Sequence, residues 1–140
     1  MRSPVMSSSS LLSALALCAA TLSPLAAVAA ELAPETTQAA GVSVSVKPAD
    51  VSPGAAAWVF EVALNTHGGS LDDDLSHTVA LVDAAGKPHA PIAWEGDPAG
   101  GHHRHGVLKF AALAPRPQAL EVRMQRPGEP APRTFRWTLQ

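Results

Sequence analysis

The chain has 140 residues, a mass of 14.4 kDa and a formal net charge of −2, with a sequence pI near 6.3. That length holds one domain and leaves no room for two of ordinary size. Hydrophobic residues make up 46% and charged residues 16%, which excludes a charged disordered chain, and the weak net charge excludes a dedicated nucleic-acid binder.

Residues 1–30 read as a secretory signal peptide. Arg2 is the only charged side chain among them, residues 11–20 form an apolar run, and Ala26-Ala27-Val28-Ala29-Ala30 closes the segment with small residues. Cleavage after Ala29 or after Ala30 satisfies the small-residue rule. The apolar middle is too short for a membrane span, and Pro24 interrupts the chain just beyond it. Cys18 follows Leu17 rather than a small residue, which argues against a lipoprotein signal. The expected address is periplasmic or secreted, and the mature chain is expected to be soluble, with no transmembrane segment. Cleavage removes Arg2 and Cys18, leaving nine basic against twelve acidic residues and no cysteine. An exported domain without a disulfide must rest on its hydrophobic core.

Residues 31–41 show little periodicity and read as a flexible leader. From Val42 to Gln140 the pattern is that of strands. Residues 42–46 alternate with period two, and residues 58–64 place Trp58, Phe60, Val62 and Leu64 on one face. Residues 78–82 come next, then a turn at Ala85-Gly86-Lys87-Pro88. Residues 91–94 form a short run whose proline suits an edge strand. Residues 107–110 come after a glycine-rich loop, and residues 120–124 and 135–139 alternate strictly, with Arg136 and Thr138 outward. Seven strand candidates and no helical periodicity predict an all-β fold, an immunoglobulin-like or fibronectin-like antiparallel β-sandwich. The stretch from Ala111 to Pro117 is expected to cross between sheets. Phe60, Val62, Leu64, Leu81, Leu108, Leu120, Val122, Phe135, Trp137 and Leu139 are the expected core.

Charge divides unevenly. Residues 31–100 hold ten acids and two bases, whereas residues 101–140 hold seven bases and two acids. Because a sandwich interleaves early and late strands, pairing between the halves is favoured over an acidic and a basic face. The chain has no tyrosine, which disfavours a tyrosine-rich recognition surface.

The chemistry concentrates in Gly100-Gly101-His102-His103-Arg104-His105-Gly106. Imidazole is a common ligand for copper and zinc. In an extended segment, residues two apart share a face, so His103 and His105 can present two nitrogens together, while His102 points away. His67, or a carboxylate from Asp72 to Asp74, would complete a shell if the loops meet at one end. No Cys-x-x-Cys and no helical His pair supports the metal reading, and a solvated His-rich loop explains the same residues. Metal affinity at such a site would fall as pH drops through about 6.5, the ordinary imidazole value. Trp94 abuts the loop Glu95-Gly96-Asp97-Pro98 at a rim. Trp94, Glu95, Asp97 and Arg104 are therefore candidate ligand-binding residues, with Arg104 expected to meet Glu95 or Asp97. The run Asp72-Asp73-Asp74 lacks the spacing of an EF-hand and reads as an acidic turn, in which Asp72 can cap a helical turn toward Leu75. No G-x-S-x-G elbow and no mature cysteine supports catalysis, so no enzyme activity is expected.

The segment from Trp94 to Leu108, with its W-E-G and G-G-H-H-R-x-G-V-L pattern, resembles one in small uncharacterised exported bacterial proteins. Residues 60–67 are similar to a companion segment in them. The resemblance would span most of residues 42–140. It implies a secreted β-sandwich and brings no activity.

Two readings fit these residues. The first is an exported binding or accessory domain whose ligand surface is the end carrying His67, His102, His103 and His105, with a protein partner unidentified by sequence. The second is a small periplasmic copper or zinc carrier or sensor using the same histidines.

Overall fold

The structure, a computed structural model, describes residues 30–140; the first 29 residues, which hold nearly all of the expected signal segment, lie outside the described part. Among the described residues, nine strands and one helical turn occur in this order: β1 (Glu35–Ala39), β2 (Val42–Asp50), β3 (Ala57–Thr66), α1 (Leu75–Thr78), β4 (Val79–Val82), β5 (Pro88–His89), β6 (Ala93–Gly96), β7 (His103–Ala111), β8 (Ala119–Met124) and β9 (Arg133–Thr138). They build two antiparallel sheets, one in the order β1-β2-β3-β7-β6 and the other in the order β5-β4-β8-β9.

Alternation decides which face of each strand is buried. In β3, Trp58, Phe60, Val62 and Leu64 are buried, and in β9 Phe135 and Trp137 are. The inner faces meet in one core, where Phe60 meets Phe110 edge-on at 5.6 Å and Trp137 at 6.1 Å between ring centres. All the expected core residues lie there, and Leu139 alone among them is only partly buried. Residues 112–118 carry the chain from one sheet to the other.

Each of the seven expected segments overlaps a strand, but the expected count falls short by two among the described residues. The first addition corrects the flexible leader: residues 35–39 pair along β2 as strand β1. The β1–β2 turn has positive φ at both central residues, Ala40 (49°) and Gly41 (74°), the geometry of a tight hairpin turn whose twist matches the strands. Ala-Gly is a weak written signal for that turn, and β1 has only a partly buried Thr37 to mark its inner face. Upstream, the Ala33 carbonyl accepts the Trp137 indole N–H at 2.7 Å, tying residue 33 across to the other sheet. The second addition, β5, is two residues long and is set by its turn. The Asp83 carboxylate accepts the backbone N–H groups of Ala85 and Lys87, each at 2.9 Å, and the His89 ring at 2.9 Å. Those hydrogen bonds, His89 first, hold the Asp83 carboxyl below the usual range.

The helical turn α1 is capped by Asp74, whose side chain accepts the Ser76 N–H at 3.1 Å; the cap is thus two residues later than the Asp72 expected from sequence. No helix among the described residues is long and apolar enough to cross a membrane.

Candidate functional site

The histidine-rich segment is divided between loop and strand. Gly100, Gly101 and His102 form a loop, and from His103 onward the chain is β7, paired with β3 from Asn65↔His103 to Ala57↔Ala111. This corrects the expectation of a loop through Gly106. Pairing with the long strand β3 overrides the glycines and polar residues that suggested irregular chain.

Strand alternation then sorts the cluster. His103 and His105 are both exposed on the outer face of the five-stranded sheet, and Arg104 between them is turned inward and buried. Asn65 stands opposite His103, and its Oδ1 lies 2.7 Å from His103 Nδ1. Ala63 stands opposite His105. His67 and His102 remain exposed in neighbouring loops, joined by the Thr66 N–H donating to the His102 carbonyl at 2.9 Å. Among the described residues, no three His, Cys, Asp or Glu side chains gather as a metal shell. The four histidines are therefore a pair on a sheet face and two loop residues, not one constellation.

Arg104 does not meet Glu95 or Asp97. Its Nη1 donates to the carbonyls of Leu71 at 3.1 Å and Asp73 at 2.6 Å, its guanidinium lies 5.6 Å from the centre of the Trp94 ring, and its Nε has no partner among the described residues. Glu95 instead pairs with Lys109 at 2.8 Å on the outer face. Asp97 accepts the His105 backbone N–H at 2.8 Å through its carboxylate and the Trp94 indole N–H at 3.0 Å through its carbonyl. Both acids are thus occupied at the sheet edge.

Trp94 is partly buried, and two glycines make its place. Gly96 and Gly106 are paired across β6 and β7. A Cβ on Gly106 would lie 2.6 Å from the Glu95 carbonyl and 2.7 Å from the Trp94 ring, and one on Gly96 would lie 2.5 Å from the Gly106 backbone. The indole therefore covers bare backbone, and only glycine fits beneath it.

A second polar group was not foreseen from sequence. Asp73, Arg126, Glu129 and Arg133 are buried together at the end of the sandwich near α1. Arg126 grips Asp73 with Nε at 2.7 Å and Nη2 at 3.1 Å, and reaches Glu129 with Nη1 at 3.1 Å. Arg133 holds Glu129 through Nε at 2.9 Å and donates to the backbone carbonyls of Val42 at 3.0 Å and Ala39 at 2.9 Å. The Arg133 hydrogen bond leads the causes that hold the Glu129 carboxyl below its ordinary value, against the opposing effect of burial. The network links the β8–β9 connection, the loop before α1 and the β1–β2 hairpin. The Arg126–Asp73 pair joins a base of the second half to an acid of the first, as does Lys109–Glu95, whereas Glu129 and Glu121 pair within the second half. The signal for this network was the spacing of Arg126, Glu129 and Arg133 around Pro127, Pro130 and Pro132, which gives no warning of burial.

Two concavities among the described residues bear on the site. A shallow depression of about 220 Å³ on the outer face of the five-stranded sheet lies over Ser45 and Ala63 and is framed by Pro34, Lys47, Glu61 and His105. A groove of about 610 Å³ at the opposite end is lined by Leu32, Pro48, Val51, Arg116 and Leu139 among others. Several of its polar groups are engaged within it: Arg116 donates to the Val51 carbonyl and lies over the Trp58 ring, and Asp50 accepts from Ser52.

Comparison of the chain with protein-family models, with curated proteins and with solved structures finds no significant match.

Proposed function

We propose that the chain is an exported, non-catalytic, immunoglobulin-like binding or accessory domain, and that it meets its partner through the outer face of the five-stranded sheet. The observation that carries this is the depression over Ser45 and Ala63, bordered by Lys47, Glu61 and His105. Small side chains at its centre bring the backbone of β2 and β3 close to the surface, and hydrogen-bonding groups of both signs stand at its rim. The outer face of the other sheet offers less, because its acid Glu121 is held between Arg123 and Arg136.

Strand order supports the immunoglobulin-like reading. The order β2-β3-β7-β6 opposite β5-β4-β8-β9 matches A-B-E-D opposite C′-C-F-G, with β1 added beside the first strand. On this reading the seven strands expected from sequence correspond to A to G. The shallow site supports binding over catalysis, since about 220 Å³ is below the size of ordinary small-molecule pockets. The N-terminal pattern supports export, and a buried ionic network is a means of stapling a domain that has no cysteine after residue 30.

The test is photo-crosslinking in the producing cell. A photoreactive residue replaces Ala63 or Ser45 on one face, and Thr134 or Arg123 on the other. Adducts confined to the first pair are expected. Equal adducts from both faces, or none from Ala63 and Ser45, would reject this surface.

A further inference from the structure

We propose that His103 and His105 form a two-imidazole site for a divalent late first-row cation, copper(II) foremost, on the outer face of the five-stranded sheet. The inference rests on the reading of that face as the binding face. It begins with geometry: the two residues are alternate positions of one strand, their Cα atoms about 6.6 Å apart by the rise of an extended chain. Both rings are exposed on the same side, and no large side chain stands opposite His105, whose partner is Ala63.

The His103 ring is already held as a ligand ring is held. Its Nδ1 lies 2.7 Å from Asn65 Oδ1, an oxygen that can only accept, so Nδ1 carries the hydrogen. The Nε2 lone pair is then left free for a metal. A side-chain carbonyl behind the non-ligating nitrogen fixes the tautomer and the orientation of the ring. The neighbouring cation is removed as well. Arg104 lies on the inner side of the sheet, engaged with Leu71, Asp73 and Trp94, and does not repel an ion on the outer side. Lys109 is paired with Glu95, and Lys47 with Glu31.

Two imidazoles leave the remaining coordination positions to water or to a partner's donor. Nitrogen ligands and an open, tetragonal arrangement suit copper(II) best, with zinc(II) weaker in the usual order of divalent affinities. No electron transfer is involved.

The experiment uses the full chain as the cell exports it, without a histidine tag, and titrates it with copper(II) and then zinc(II). One copper(II) per chain is expected, with an electron paramagnetic resonance spectrum showing nitrogen coupling from two imidazoles. His103→Ala and His105→Ala should each weaken copper binding at least tenfold, and Asn65→Leu by about tenfold through the lost support of His103. His67→Ala and His102→Ala should leave it unchanged. The four histidines are exposed, and circular dichroism confirms that each variant is folded. Absent copper uptake, a single-nitrogen spectrum, or equal losses in the His67 and His102 variants would overturn the site. Because the crosslinking at Ala63 and Ser45 needs neither histidine, its success alongside failed copper uptake would reject the metal site alone.

Discussion

Arg104 and its neighbours His103 and His105 occupy successive positions of β7, yet they belong to different parts of the molecule. Arg104 is sealed inside with two backbone carbonyls and an indole, while the histidines stand outside, opposite Asn65 and Ala63. The contrast extends through the domain. Its buried charges, Asp73, Arg126, Glu129 and Arg133, are saturated by one another and by backbone, and they join three connections that would otherwise separate. Its outer charges form exposed pairs, such as Lys109 with Glu95 and Lys47 with Glu31, and the side chains of His103 and His105 stand in solvent. A charged residue inside this sandwich is structural, whereas the two histidines on the outer face of β7 are exposed. The side of the strand decides the role, because a buried charge must be paired whereas an exposed one is already solvated.

The comparison breaks most visibly in the core. Phe135→Ala should cost about 3–5 kcal/mol in urea denaturation, because the ring is fully buried between the sheets. A loss below about 1 kcal/mol would mean that the inner face is not packed as described.

Next comes the ionic network. Glu129→Gln leaves Arg126 and Arg133 facing a neutral amide, and a loss of about 3 kcal/mol is expected for breaking a buried pair. The same carboxylate sets an acid limit. Its folded value is depressed, by Arg133 first, so the unfolded chain takes up that proton at the higher pH. Its contribution is complete above the unfolded value of about 4.3 and is lost as pH falls through the folded value. The parent should therefore lose more stability than Glu129→Gln between neutral pH and pH 3. Parallel losses in the two proteins would show that Glu129 is not bound as described.

Gly106→Ala tests the seat of Trp94. The added methyl has no room against the Glu95 carbonyl and the indole, and overpacking of this kind costs about 1–3 kcal/mol. Displacement of the ring should also shift Trp94 fluorescence, read in a Trp58→Phe, Trp137→Phe background. An unchanged spectrum with unchanged stability would contradict the close contact.

The smallest effect sharpens the contrast from the other side. His103→Ala combined with His105→Ala should alter stability by no more than about 0.5 kcal/mol, since both side chains are exposed. A larger loss would make the pair structural, like Arg104.

Sequence alone marked seven strand segments, core residues in five of them and the shared face of His103 and His105. Those come from a period of two, which is a local property that survives any tertiary arrangement. The turn after Val82 was legible for the same local reason, in Ala85-Gly86-Lys87-Pro88, although the part played by Asp83 was not. Only the tertiary structure decided the rest. Strand β1 exists because β2 offers an open edge and Arg133 reaches its carbonyls, neither of which is written in residues 35–39. Arg104 was expected beside Glu95 or Asp97 because the three are near in the chain. It lies instead against Leu71 and Asp73, more than thirty residues away, because pairing with β3 placed its side of β7 inward. Arg126 and Asp73 meet across 53 residues for the same reason. Periodicity tells which residues share a side, but the partner on that side is fixed by how the sheets stack, and that depends on the whole chain at once.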